Sequence, residues 1–78
     1  MPKKELLSEK DLAALAKQFR EQAGKTRAEA GREMGVSHVS VYRAEENPAE
    51  SLNKLRSRMI EAYSPFTVVG PVFYLRRK

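Results

Sequence analysis

The 78-residue sequence contains no cysteine and no tryptophan, and its one histidine is His38. Without cysteine, the chain cannot form a disulfide scaffold, a thiolate zinc site or a thiol enzyme. A single histidine also argues against an all-protein zinc site and against a catalytic triad. We therefore expect no enzymatic activity and no cofactor, and a chain of this length is expected to be a small binding module.

Long apolar runs are also missing. No stretch approaches the roughly 20 apolar residues that span a bilayer, and the first seven residues lack the apolar core of a secretory signal. A cytoplasmic location is expected. The chain does have a net charge of +5, which weakly favours a polyanionic partner. This excess is spread out, with 8 basic and 6 acidic residues in 1–39 and 7 and 4 in 40–78.

Helical periodicity and capping signals predict four helices. The first covers about 9–23, with Ser8 as its N-cap and Gly24 as a left-handed residue at its end. The second covers 27–34, where Thr26 and Glu29 have the spacing of a capping box. Gly35 is placed to end it, since glycine tolerates a positive φ.

The third and fourth helices follow after short connections. Ser37 caps a third helix over about 38–45. The fourth is predicted over about 48–63, with Leu55 and Met59 in its apolar stripe, and Pro65 stops it. Two short helices joined by three residues, 35–37, have the spacing of a helix-turn-helix. Gly31 is costly inside a helix, so a close packing contact is expected there.

Over about residues 9–63, and through its motif at 26–45, the chain resembles the phage repressor and Cro type of helix-turn-helix regulator, the XRE family. The family core reads roughly Thr-Gln-x-x-Leu-Ala-x-x-x-Gly-Val-Ser-x-x-x-Ile-x-x-x-Glu. The matching positions are Thr26, Gly35, Val36, Ser37, Val41 and Glu45. The chain departs from the family at Arg27, at Ala30-Gly31, and in its extended tail, which stands where the family has its last helix.

The resemblance implies an all-α, four-helix, lambda-repressor-like domain, to which the tail of this chain adds a C-terminal β-strand or hairpin. It also implies that the third helix enters the major groove of DNA. On this helix, Arg43 is suited to hydrogen-bond guanine, and Val39 is suited to contact the methyl group of thymine. His38 is expected to bond a base edge, and Tyr42 is expected to contact a base or a phosphate. Phosphate contacts are expected from Thr26, Arg27, Ser37 and Ser40. In the family, an arginine and a glutamate placed like Arg20 and Glu45 form an ion pair.

The tail from residue 66 is rich in β-branched and aromatic residues and predicts extended chain. As a single strand it is apolar on both faces: Phe66, Val68, Val72 and Tyr74 on one, and Val69, Phe73 and Leu75 on the other. Its unpaired edges require either a hairpin folded at Gly70-Pro71 or another chain. We expect these seven residues to pair with a second copy. The terminal residues 76–78 are three cations that reach phosphates or form a solubilising end.

The sequence therefore predicts a DNA-binding domain over 1–64 and a dimerisation tail over 65–78. The expected function is a sequence-specific regulator of transcription that binds double-stranded DNA, with repression by a homodimer on a palindromic operator as the expected mode. One alternative is an antitoxin whose C-terminal strand binds a toxin protein. Another is a protein-interaction module that keeps the fold without binding DNA.

Overall fold

A computed structural model describes residues 6–70 and 73–78, which fold into four helices followed by a two-stranded antiparallel hairpin. The helices are α1 (Glu9–Gln22), α2 (Arg27–Met34), α3 (His38–Glu46) and α4 (Asn53–Tyr63). The strands are β1 (Phe66–Val69) and β2 (Tyr74–Arg77). A mostly helical chain with a C-terminal hairpin is thus confirmed. In the described part of the chain, no helix combines the length and apolar character needed to cross a membrane.

The first two helices begin where the capping signals place them. The Ser8 hydroxyl accepts from the backbone N–H of Asp11, and the Asp11 carboxylate accepts from the backbone N–H of Ser8. Thr26 and Glu29 make the same reciprocal pair at the start of α2. Each capping box satisfies amide groups that have no partner within the helix, which fixes the first turn.

The fourth helix begins later than the sequence predicted. Residues 47–50 form a turn that the Glu50 N–H closes by donating to the Asn47 carbonyl over 3.0 Å. Pro48 occupies the second position of this turn, where its fixed φ is favoured. The helical pattern from 48 onward was therefore misread, because the turn takes up these residues. α4 starts at Asn53, and its N-cap, Leu52, makes no side-chain capping bond.

The core lies where the four helices meet, and α1 and α4 make the largest helix-to-helix contact. Its fully buried apolar side chains belong to Leu12, Ala16, Ala30, Val41, Ala44, Met59 and Ile60. Ile60 was missed in the predicted stripe of α4. Half-buried Leu52 packs against the core from the N-cap position of α4.

The hairpin places the side chains of the tail on different faces from those expected for a single strand. Val68 lies opposite Leu75, and Val69 lies opposite Tyr74. Directly opposite residues share a face, so Tyr74 is on the face of Val69 rather than that of Val68. The face that packs against the helices comprises Phe66, Val68, Phe73 and Leu75. The predicted assignment of side chains to the two faces was wrong, because the turn between β1 and β2 shifts which residues of β2 lie on each face. Val72 and Pro71 lie outside the described residues.

Side chains from α4 and its C-terminus close the outer edge of β1. The N–H of Val68 donates to the Glu61 carboxylate over 3.3 Å, and the N–H of Phe66 donates to the Ser64 hydroxyl over 3.1 Å. The structure therefore has the intrachain hairpin that the sequence left open as an alternative. Pairing of the tail with a second copy stays a prediction. The outer edge of β1 is covered, and Leu7 forms an antiparallel bridge with Phe73, next to β2.

The basic C-terminus is held against the fold. The Arg77 guanidinium lies 5.5 Å from the centre of the Phe66 ring. The N–H of Lys78 donates to the Pro65 carbonyl over 3.0 Å, and its ammonium donates to carbonyls at the end of α4. These two residues are therefore exposed but bonded to the fold, and a phosphate contact by them stays a prediction.

Candidate nucleic-acid interface

A tight turn sets the geometry of α2 and α3. Gly35 ends α2 with a φ of +74°, in the left-handed region that favours glycine. The N–H of Val36 then donates to the Gly31 carbonyl over 2.8 Å. A Cβ on Gly31 would lie 2.8 Å from the Val36 carbonyl oxygen and 3.2 Å from the His38 nitrogen. The predicted packing reason for Gly31 is confirmed, and the close neighbour is the turn's own backbone.

The N-terminus of α3 is capped as predicted. The Ser37 hydroxyl accepts from the backbone N–H of Ser40 over 3.1 Å, and the two serine hydroxyls also lie 3.1 Å apart. Ser37 is exposed and Ser40 is half-buried. The cap aligns the first turn of α3, whose free N–H groups and helix dipole favour a negative charge.

One face of α3 is buried and the other is exposed. Val41 and Ala44 are fully buried against the other helices. Val39 and Tyr42 are 48% and 51% exposed, although both are apolar or aromatic. Exposed His38 and Arg43 stand beside them in helical spacing. The structure thus brings together the four residues predicted to contact bases: His38, Val39, Tyr42 and Arg43.

Arg43 is held by a side chain from beyond its own helix. Its Nε donates to Oε1 of Glu50 over 2.9 Å, and the Arg43 side chain is 53% exposed. The Asn47 amide donates to the same Glu50 oxygen over 2.9 Å. Glu50 had no role in the sequence-based prediction.

Arg27 lies in a network of charges rather than free in solvent. Its Nε donates to Glu45 over 3.0 Å, and its Nη2 donates to Glu46 over 2.9 Å. The same guanidinium lies 5.0 Å from the centre of the Tyr42 ring, within range of a cation–π contact. Lys17 also donates to Glu46, and this hydrogen bond lowers the pKa of the Glu46 carboxyl.

The pairing of Arg20 and Glu45 expected from the family resemblance is present. Arg20 donates from Nε and Nη2 to the two carboxylate oxygens of Glu45, over 2.5 and 3.0 Å. The Glu45 side chain is 0% exposed. The hydrogen bond with Glu45 raises the pKa of the Arg20 guanidinium. This fork-shaped contact ties the end of α3 to α1.

Two arginines of α4 hold the ends of the helix-turn-helix. Arg56 is fully buried, and it donates to the carbonyls of Ala44 and Asn47 over 2.8 and 2.9 Å. Burial lowers the pKa of Arg56. Arg58 donates to the Met34 carbonyl at the end of α2 over 2.6 Å. Both arginines were missed in the sequence. For Arg56, the available signal was that α3 ends without a glycine, so its last carbonyls need another donor.

The structure places Thr26 and the other predicted phosphate-contacting residues at helix starts. Thr26 is exposed at the N-cap of α2, and its hydroxyl accepts from the backbone N–H of Glu29. Ser37 and Ser40 occupy the corresponding turn of α3. Two helix N-termini and one exposed helical stripe can together contact a phosphate backbone and the base edges of a groove.

Residues 11–46 match the model of a helix-turn-helix domain family. The matched segment contains most of α1 and all of α2 and α3. No curated protein and no solved structure matches the chain. The match supports a helix-turn-helix class of DNA-binding domain, and it does not single out the phage repressor and Cro type.

Proposed function

We propose that the chain binds duplex DNA and reads its sequence with α3 in the major groove. The observation that carries this proposal is that α3 presents an exposed stripe of side chains, while its two ends and its inner face are held in place by the rest of the fold. A buried carboxylate holds its C-terminal end, a close backbone contact sets its N-terminal turn, and its inner face is in the core. A rigid helix with exposed Val39, Tyr42 and Arg43 suits recognition of base edges.

The roles of the stripe follow from the chemistry of each side chain. Arg43 supplies the N–H donors that guanine O6 and N7 accept, and Val39 suits the methyl group of thymine. His38, at the first position of α3, is placed to bond a base edge. Tyr42, whose ring lies next to the Arg27 guanidinium, contacts a base or a phosphate.

We assign the phosphate contacts to residues at the starts of α2 and α3. Thr26, Ser37 and Ser40 lie beside N–H groups that favour anions. Arg27 is less suited to this role, because its guanidinium bonds Glu45 and Glu46. Its geometry favours support of the Tyr42 ring, and a phosphate contact would require it to release Glu46.

Beyond DNA binding, we propose that the chain is a transcriptional regulator of the phage repressor type, with 1–64 as the DNA-binding part. It acts as a repressor and binds a palindromic operator as a homodimer through the tail, 65–78. Two recognition helices about 34 Å apart would then meet successive major grooves. Sedimentation equilibrium tests the dimer: a monomer at tens of micromolar would contradict it.

The experiment for DNA binding is selection of bound sequences from a random duplex pool, followed by fluorescence anisotropy. We expect a recovered consensus and an affinity that falls steeply with salt, because phosphate neutralisation releases counterions. Arg43→Ala should weaken binding to the consensus by about 1–3 kcal/mol and relax one base position. An equal loss on scrambled duplex would contradict base reading by Arg43. No enrichment of any sequence would contradict the proposed function.

A further inference from the structure

We propose that Glu50 positions the Arg43 guanidinium for guanine, an inference that rests on the proposed function. Oε1 of Glu50 accepts from Nε of Arg43 over 2.9 Å. Glu50 follows α3, and it approaches Arg43 from the turn between α3 and α4. It is therefore a positioning residue, which acts on DNA through Arg43.

Glu50 is itself fixed by a chain of bonds that starts in the core. Fully buried Arg56 donates from Nη2 to the Asn47 carbonyl over 2.9 Å. The same carbonyl accepts from the N–H of Glu50 over 3.0 Å, which closes the turn around Pro48. The Asn47 side-chain amide then donates to Oε1 of Glu50 over 2.9 Å. The Glu50 carboxylate is thus held by the turn around Pro48, and buried Arg56 fixes that turn.

The contact leaves the recognition end of Arg43 available. A guanidinium has five N–H groups, and Glu50 takes the one on Nε. Within residues 6–70 and 73–78, Nη1 and Nη2 of Arg43 make no hydrogen bond. These two nitrogens can approach O6 and N7 of one guanine side by side. Holding Nε in place also reduces the side-chain entropy that a flexible arginine would lose on binding.

The alternative reading of this pair is a simple charge effect. A carboxylate beside the interface repels phosphates, so its negative charge would weaken binding to every duplex by a similar factor. A positioning role has a different signature. Without the Glu50 contact, Arg43 can turn to phosphates, which carry no sequence information. The ratio of affinities for the selected and a scrambled duplex should then fall.

Two substitutions separate charge from geometry. Glu50→Asp keeps the charge but shortens the side chain by one methylene, so the carboxylate no longer reaches Nε. Glu50→Gln removes the charge but keeps an oxygen at the same reach to accept from Nε. Affinities for the selected and scrambled duplexes are measured by anisotropy, and thermal melting checks that each variant is folded. Glu21→Gln, on α1, is the matched charge control.

We expect Glu50→Asp to lower the affinity ratio by about five- to tenfold. Glu50→Gln should keep the ratio within about twofold and strengthen binding to both duplexes. A wild-type ratio in Glu50→Asp would overturn the inference, as would an equal fall in the ratio for Glu21→Gln. These results leave the proposed function intact, whereas a wild-type chain that selects no duplex contradicts both.

Discussion

The helix-turn-helix and the C-terminal hairpin are held in place by different forces. The ends of α2 and α3 are fixed by buried or part-buried charged groups, with Glu45 and Arg56 the most enclosed. In the hairpin, every strand residue is half-buried or exposed. Four apolar side chains pack it against the helices, while Glu61 and Ser64 bond its outer edge.

The buried charged contacts occur in the region that is proposed to bind DNA, where the position of a helix matters most. Hydrogen bonds and ion pairs depend on direction, so they define the position of a helix more closely than apolar burial does. The region proposed to meet DNA is the one whose directional contacts come from buried charged groups. The hairpin covers part of the core with half-buried apolar side chains. Substitutions that remove a buried polar partner in the first region should therefore cost more than truncations in the second.

The largest expected effect is that of Arg20→Met. It leaves the buried Glu45 carboxylate with Arg27 as its charge partner. Removing one member of a buried pair costs about 3–5 kcal/mol, because the other charge stays desolvated. Urea unfolding followed by circular dichroism measures the loss.

The matched control is Lys17→Met, which removes an exposed partner of Glu46 from the same network. Its effect should be much smaller, since exposed pairs are screened by water. Similar losses for the two variants would show that burial of Glu45 does not dominate the network.

Gly31→Ala is expected to rank second, with a loss of about 1–3 kcal/mol in the free energy of unfolding. Its Cβ would lie 2.8 Å from the Val36 carbonyl oxygen, so the turn must shift. At an unhindered helical position the same change would stabilise by about 1 kcal/mol. The sign of the change in urea unfolding is therefore diagnostic, and a stabilised variant would contradict the close approach of the turn.

A smaller effect is expected in the hairpin, where Val68→Ala and Val69→Ala form a matched pair. Val68 packs against the core, whereas Val69 lies on the opposite face with Tyr74. We expect a loss of about 1 kcal/mol for Val68→Ala and less than half of that for Val69→Ala. The reverse order in thermal or urea unfolding would mean that the register of the two strands is wrong.

The smallest effect concerns pH and the capping boxes of the helical part. Backbone hydrogen bonds lower the pKa of Asp11 and of Glu29 below their ordinary values of 3.8 and 4.5. Because these pKa values are lower in the folded state, their stabilisation is present above the ordinary values and is lost as the pH falls through the folded ones. The free energy of unfolding should thus decrease on acidification below pH 4.5.

The double variant Asp11→Asn, Glu29→Gln removes both titrating groups and keeps oxygen acceptors for the caps. Its free energy of unfolding should depend less steeply on pH between 5 and 3, as measured by urea titrations at each pH. An unchanged slope would assign the acid sensitivity to other carboxylates.

Local signals predicted the helix-turn-helix well. Thr26 with Glu29, Gly35 with its positive φ, and Ser37 each act within a few residues, so the sequence alone shows where α2 and α3 begin and α2 ends. The pair of Arg20 and Glu45 was expected only through the family resemblance, because 25 residues separate the two.

Other features depended on contacts that no local pattern reports. Arg56 lies inside an apolar stripe, and its acceptors are carbonyls of α3. The bond of Glu50 to Arg43 requires the turn at Pro48, where the sequence pattern had favoured helix. In the tail, the position of the bend decides which side chains share a face, so reading it as one strand misplaced Tyr74.

Amide chemical-shift mapping by NMR with a selected duplex tests most directly whether α3 reads DNA. If it does, the largest shifts should occur at 26–28 and 37–43, the starts of α2 and α3 and the exposed stripe. The hairpin residues 66–69 and 74–77 should change little. Shifts concentrated in the hairpin, or no shifts at all, would contradict the claim that α3 reads DNA.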